Sequence, residues 1–476
     1  MLFNSWQFGI FFPAVFIIYW LIPDKFRWVL LLISSLYFYM SWNAKYIILI
    51  LFTTFISYIA GILLNKIENK PARKFILVFA LISCLGVLFV FKYFNFAVQI
   101  LDDIFKIFAI KLHPITLNLL LPVGISFYTF QTLGYVIDVY KNKIEPEKNF
   151  GIYATFISFF PQLVAGPIER TNNLLPQIKS AKKFNYEQTA YGIKLMTWGF
   201  FKKLVIADNL AIYSDKIFND VYKFHGFALL FGIFAFTIQI YCDFSGYSDI
   251  AQGCSKMLGI NLMENFKSPY FSSSIREFWS RWHISLSTWF RDYLYIPLGG
   301  NRVNKFRHNL NIFVTFLISG LWHGASWNFI IWGSIHGTAQ ILENIFIDKH
   351  KTHNGINKFF RILCVFIFCS LAWIFFRANN FNEAIYITKN FLNGITNLKN
   401  YYCEGIESIN LGGKKALLFN ATLLGIYDYI SLKYNVIKKI TSNKYLIFRY
   451  LIYFGIITAI LFFMASNEVA FVYFQF

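Results

Sequence analysis

FILVFALISCLGVLFVFKYFNFAVQIL, residues 75–101, is an apolar run in which Lys92 is the one charged side chain. It exceeds the roughly 20 residues that a helix needs to cross a bilayer core. Residues 28–64, split by Asn43, and residues 117–137 read the same way. Over the whole chain about ten to twelve spans or part-spans satisfy this measure. Of the 476 residues 57% are hydrophobic and 14% charged, and runs this long and uninterrupted have no place to hide in a water-soluble fold. Inside lipid each backbone amide must find its partner within the structure, so only helices and closed barrels can span. The strict alternation of a barrel strand is missing. The sequence therefore predicts an all-α, polytopic membrane protein. Residues 1–22 are apolar but lack a basic n-region and a small-residue cleavage site, so they are expected to be a retained first span at which the mature chain begins.

The formal charge of +20 would point a soluble protein toward nucleic acid. Here the basic residues fall in short loops, where they set orientation and meet anionic lipid. Lys25 and Arg27, then Lys66, Lys70, Arg73 and Lys74, then Lys141, Lys143 and Lys148 lie between alternate spans. That spacing places the N-terminus, the Asn43 turn and the loop around Asp102 outside. Residues 349–361 and 433–449 then read as cytoplasmic, and the C-terminus as external. Of six cysteines only Cys403 falls in an expected external loop, and neither a disulfide framework nor a CxxC metal spacing is present.

Three segments are expected. Residues 1–149 form a scaffold of transmembrane helices, with Pro122 and Gly124 bending the span at 117–137. Residues 150–348 form a catalytic core of broken and interfacial helices: Pro161, Gly166 and Pro167 interrupt an apolar stretch that runs into Glu169 and Arg170. Broken helices at membrane depth line cavities. Residues 349–476 add C-terminal spans around an external polar segment, 379–415. On a helical wheel Ile275, Phe278, Trp279, Trp282, Leu286, Trp289 and Phe290 share one face, opposite Glu277, Ser280 and Arg281, which predicts an interfacial helix.

Residues 313–337 contain no Lys, Arg, Asp or Glu, yet carry His323 and His336. An ionisable group at that depth needs a reason. Burial disfavours the imidazolium, so such a histidine is neutral near pH 7 and able to accept a proton, as a general base must. On one continuous helix His336 would lie about 140° round and about 20 Å along from His323. The two share a site only if Gly320 or Gly324 breaks the helix. His283 borders the interfacial helix, where it reaches either a cavity or the headgroups. Asp243 and Asp249 flank Gly246 after an apolar helix, placed to orient a histidine, bind a hydroxyl or pair with Arg276 or Arg281. His113, His225, His308, His350 and His353 fall in loops or at span ends and read as solvated. A phosphate-binding G-x-x-x-x-G-K-[ST] loop and a G-x-S-x-G nucleophile elbow are both absent. None of the eight histidines has Asp five residues on, which argues against glycerolipid acyl transfer.

Trp322-His-Gly in an apolar helix, Arg281-Trp-His283 upstream of it, and the string Asp243-Phe-Ser-Gly-Tyr-Ser-Asp249 together resemble the membrane-bound O-acyltransferase (MBOAT) family. The stretch REFWSRWHISLSTWFRDYLYIPLGG at 276–300, PQLVAGPIER at 161–170 and the Phe474-Gln-Phe ending resemble its bacterial alginate O-acetylation branch. The resemblance implies a ring of helices around a funnel, His323 and His283 as catalytic residues, and Asp243, Asp249, Arg281, Trp282 and Trp322 as substrate-binding or orienting residues, with no metal. It implies transfer of an acyl group, acetyl by expectation, from a cytoplasmic thioester toward hydroxyls of an exported polysaccharide. The donor, acetyl-coenzyme A or an acyl-carrier protein, is a co-substrate and not a tightly bound cofactor. The acetyl group passes either directly to the acceptor or to a separate external acetyltransferase. The expected location is the bacterial plasma membrane, with no nucleic-acid partner. D-alanyl transfer to teichoic acid is the alternative within the family. A glycan or proton transporter would require paired helix breaks in two related halves, and a structural scaffold gives no reason for His323.

Overall fold

The computed structural model describes residues 1–110, 115–346, 355–410, 415–465 and 471–472. Every regular element among them is helical. Five helical stretches are long and apolar enough to cross a membrane: Ala44–Lys66, Lys70–Ile107, Phe227–Met257, Ile356–Arg377 and Leu446–Phe463. The last has no buried residue, and its Ile447, Phe454 and Phe462 are 78%, 70% and 78% exposed. A helix apolar on every side has lipid as its natural solvent.

The chain divides into two compact units. One comprises Met1–Ile193 with Ala251–Met263, the other Lys194–Ile250 with Glu264–Phe476. In the first, Asn43 separates helices Asp24–Met40 and Ile47–Lys66 as expected, its side chain accepting the Lys45 amide at 3.1 Å. The 75–101 run is helical throughout, with a π-helical turn at Phe89–Tyr93 joining Lys70–Leu88 to Phe94–Ile107. The expected span at 117–137 is shorter than its hydropathy suggests. Gly124 does not bend a helix but starts one: it takes φ +74°, and Ile125–Tyr140 follows it. A Cβ at Gly124 would lie 2.5 Å from the Leu163 carbonyl oxygen, so glycine is required for both conformation and space.

The break expected around Pro161 is present. Helix Phe150–Ser158 stops at Phe159, one turn Phe160–Leu163 follows, and the chain is irregular until Thr171–Lys179. Backbone groups freed by the break are satisfied by side chains, as apolar surroundings demand. The Phe160 amide donates to Ser35 Oγ at 3.0 Å. The Phe156 carbonyl accepts from Gln131 at 2.8 Å and from Gln162 at 3.0 Å. Buried Glu169 accepts the Met263 amide and the Asn173 side chain, at 2.5 and 2.6 Å.

The second unit has an aromatic core that includes Phe236, Tyr241, Phe278, Trp282, Trp332, Trp373 and Phe376. Helices Lys305–His323 and Trp327–Phe346 form a hairpin within it. Small residues let its backbones touch: a Cβ on Gly320 would sit 2.2 Å from the Phe329 carbonyl oxygen, and one on Gly333 would sit 2.4 Å from that of Phe316. Much of the 379–415 segment, expected as a polar external stretch with Cys403 in a loop, is helical, over Phe381–Asn390 and Leu398–Ile409, with Cys403 exposed on the second helix.

Candidate active site

His323 is the last residue of its helix, and Gly324 leaves the helical path with extended backbone. The imidazole is 3% exposed, with the Trp322, Trp332 and Phe376 rings at 4.9, 5.1 and 5.2 Å between centroids. The hairpin turn therefore answers the question left open by the spacing of His323 and His336. The helix is broken at Gly324, the chain reverses, and Trp332 on the returning helix of the hairpin touches both His323 and His336, the latter at 4.9 Å.

The single interfacial helix expected over 275–290 is two short ones, Ile275–Arg281 and Ile284–Phe290, with His283 between them at φ +43° and ψ +54°. A left-handed conformation is uncommon for a residue with a Cβ and persists where neighbours hold it. Here fully buried Asn265 does so. Its carbonyl accepts the Ile284 amide at 2.9 Å, its side-chain oxygen accepts the Ser285 hydroxyl at 2.7 Å, and nearby the Lys267 amide donates to the Arg281 carbonyl at 3.0 Å. The first short helix is fixed at its start by Ser274, which accepts the Glu277 amide at 3.0 Å. The break turns His283 inward: it is 0% exposed, so it is not a headgroup residue. Burial pushes its imidazole down to about 3, leaving it neutral.

His283 and His323 meet around one side chain. The Trp322 ring lies 6.1 Å from His283 and 4.9 Å from His323. Phe244 packs edge-on to His283 at 4.6 Å, which ties the Asp243–Asp249 string to the histidines.

The two aspartates do not pair with arginine. Asp243 binds Lys203 at 2.8 Å, and the same ammonium binds Asp208 at 2.8 Å; the second carboxylate oxygen of Asp243 accepts the Val472 amide at 2.7 Å. Asp249 binds Lys202 at 2.8 Å, and Lys202 also donates to Ser245 at 2.9 Å. Arg276 instead bonds Asn344, and Arg281 pairs with Glu277 at 2.5 Å. Both arginines face carboxamide or carboxylate groups within reach of their own short helix or its neighbour, so neither is available to Asp243 or Asp249. Trp282 is a core ring packed on Phe266 and Trp373, at 5.1 and 5.0 Å, and does not contact His323.

Lys202 and Lys203 are the residues that sequence reading passed over. Two adjacent lysines in an apolar helical stretch are themselves a signal, because intramembrane charges are paired and functional as a rule. They lie in a π-helical segment, Phe201–Ala207, the irregularity that most often marks functional sites in helices. Close approach brings that segment to the aspartate string: a Cβ on Gly199 would lie 2.7 Å from the Gly246 carbonyl oxygen. Of the histidines expected to be solvated, His225 is exposed and His308 half-buried against Tyr295 at 6.3 Å; His113, His350 and His353 lie outside the described residues. Among the described residues no group of His, Cys, Asp and Glu could hold a metal ion.

The arrangement offers a buried imidazole at a helix end, a second imidazole across an indole, and three carboxylates bridged by two lysines. Such a site suits proton transfer to and from an uncharged hydroxyl. Residues 147–385 match the family described as MBOAT, membrane-bound O-acyltransferase family. A probable alginate O-acetylase of Pseudomonas aeruginosa is 40% identical over 393 residues, 81% of this chain and 73% of the relative. A peptidoglycan O-acetyltransferase of Helicobacter pylori is 37% identical over 395 residues, 77% of this chain and 74% of the relative. A teichoic acid D-alanyltransferase of Streptococcus thermophilus is 29% identical over 278 residues, 54% of this chain and 65% of the relative.

Proposed function

The chain belongs to the membrane-bound O-acyltransferase family, and from that premise we propose that it moves an acetyl group from a cytoplasmic thioester donor to, or toward, hydroxyls of an exported polysaccharide in the bacterial plasma membrane. The observation that carries the reading is the gathering of His323 and His283, both buried, around Trp322. His323 takes the proton of the attacking hydroxyl, the oxygen adds to the thioester carbonyl, and the C–S bond breaks. The imidazolium then returns its proton to the departing thiolate. A thioester is already activated, so the protein supplies a base and a position. His283, neutral and fully buried, orients the reactants and is not itself the base.

The acceptor hydroxyl belongs either to the glycan or to a separate external acetyltransferase that completes the transfer; either step needs the same base. Acetyl is preferred to D-alanyl because the O-acetylating relatives share more identity over more of the chain than the D-alanyltransferase does. The donor is acetyl-coenzyme A or an acyl-carrier protein. The test is His323→Ala in a host that lacks its own copy but exports the candidate polysaccharide, with ester-linked acetate and membrane abundance measured together. Acetate falls to background at equal abundance if the reading holds, and unchanged acetate overturns it.

A further inference from the structure

Beneath His323 lies a second imidazole that the mechanism above does not use. His336 is fully buried and walled by rings: Trp279 at 5.0 Å, Trp332 at 4.9 Å, Phe368 at 5.4 Å and Trp373 at 6.5 Å. Trp279 donates its Nε1–H to His336 Nδ1 at 3.3 Å. An indole can only donate, so Nδ1 is an acceptor and a neutral imidazole must carry its proton on Nε2. That Nε2 has no hydrogen-bond partner among the described residues, nor do the indole nitrogens of Trp332 and Trp373.

Three N–H donors thus sit on three rings in mutual contact, each ring at most 1% exposed. Buried donors without acceptors are rare in folded proteins and ask for an explanation. Donors gathered in a water-poor, aromatic surround, with no competing cation, match an uncharged or partially negative oxygen. Trp332 is also in ring contact with His323, so an oxygen held there lies beside the base.

We propose that Trp332, His336 and Trp373 form the pocket that receives the carbonyl oxygen of the acyl group. This assignment rests on the acyl-transfer reading. As the hydroxyl adds to the carbonyl carbon, the C=O π pair moves onto that oxygen, and the N–H donors stabilise the charge that develops. The pair returns to re-form C=O when the C–S bond breaks. His336 is in this scheme a donor fixed by Trp279, not a second base.

The test uses full-length protein in membrane vesicles containing the exported polysaccharide, with the initial rate of ester-linked acetate followed against acetyl-coenzyme A concentration. Trp332→Phe keeps a ring and removes one donor, and it is expected to lower the maximal rate per molecule by about 10² to 10³-fold with little change in the half-saturating concentration, as loss of an oxyanion donor does. Trp373→Phe is expected to act in the same direction. His336→Gln, which keeps an N–H near the Nε2 position, is expected to retain more activity than His336→Leu at equal abundance. If Trp332→Phe lowers abundance, the His336 pair and Trp373→Phe decide in its place. Rates within two-fold of wild type in the donor variants, with His323→Ala inactive, overturn the pocket, leave the base reading standing and mean that the donors serve only water. An active His323→Ala overturns the base reading instead.

Discussion

Two largely buried polar regions of the second unit are differently built. In the lattice of Lys202, Lys203, Asp208, Asp243 and Asp249, each charge faces an opposite charge at 2.8 Å. In the cluster of His283, His323 and His336, the imidazoles are packed among aromatic rings. The first arrangement spends its polar capacity on itself and holds helices in register. The second sets imidazoles among aromatic rings, with His323 at a helix end. Burial alone therefore does not mark reactivity; the identity of the neighbours does.

Separating the two regions by mutation gives the sharpest check. His323→Ala is expected to abolish acetate transfer, by about 10² to 10⁴-fold as for a lost general base, without loss of folded protein. Lys203→Met is expected to do the reverse in order: it strands Asp208 and Asp243 without their cation, at about 3–5 kcal/mol, so membrane abundance and melting temperature fall first. Normal abundance of Lys203→Met would show that the lattice is not the structural partner in this comparison.

A smaller effect is expected where the hairpin sets the distance between its two rings. Gly333→Ala introduces a Cβ 2.4 Å from a backbone oxygen, costing about 1–3 kcal/mol as overpacking. It should lower activity more than abundance, because separation of the helices moves Trp332 from His323. Equal losses of both, read from acetate per molecule of detergent-extracted protein, would sink that reading.

The smallest is a pH effect at His283. Its folded-state imidazole titrates at about 3 against an ordinary value of 6.5, so the unfolded chain gains a proton that the folded one refuses. Its contribution to stability is complete above pH 6.5 and is lost as pH falls toward 3. Between pH 6.5 and 5 this amounts to about 2 kcal/mol at about 1.36 kcal/mol per unit. His283→Gln should melt with a shallower acid dependence than wild type in detergent over that range. Identical dependence would place His283 in contact with water.

His323 was legible because the 313–337 run is otherwise free of charge, and a lone imidazole there contradicts its surroundings. Its relation to His336 was legible only as a condition on a helix break. Of the roles open to Asp243 and Asp249, only pairing with the arginines near in sequence is replaced, by lysines from a segment about forty residues upstream.

The sequence by itself determined that the chain is helical and membrane-embedded, where its turn at Asn43 and its break near Pro161 fall, and which histidine stands at odds with its segment. These follow from hydropathy and backbone chemistry, which act residue by residue. Tertiary structure alone decided that His283 turns inward, that Gly324 ends one helix and reverses the chain, and that Trp322 and Trp332 join three imidazoles. Those outcomes depend on acceptors and close approaches supplied from elsewhere, such as Asn265 beneath the His283 break and Phe329 against Gly320, and no local pattern encodes them.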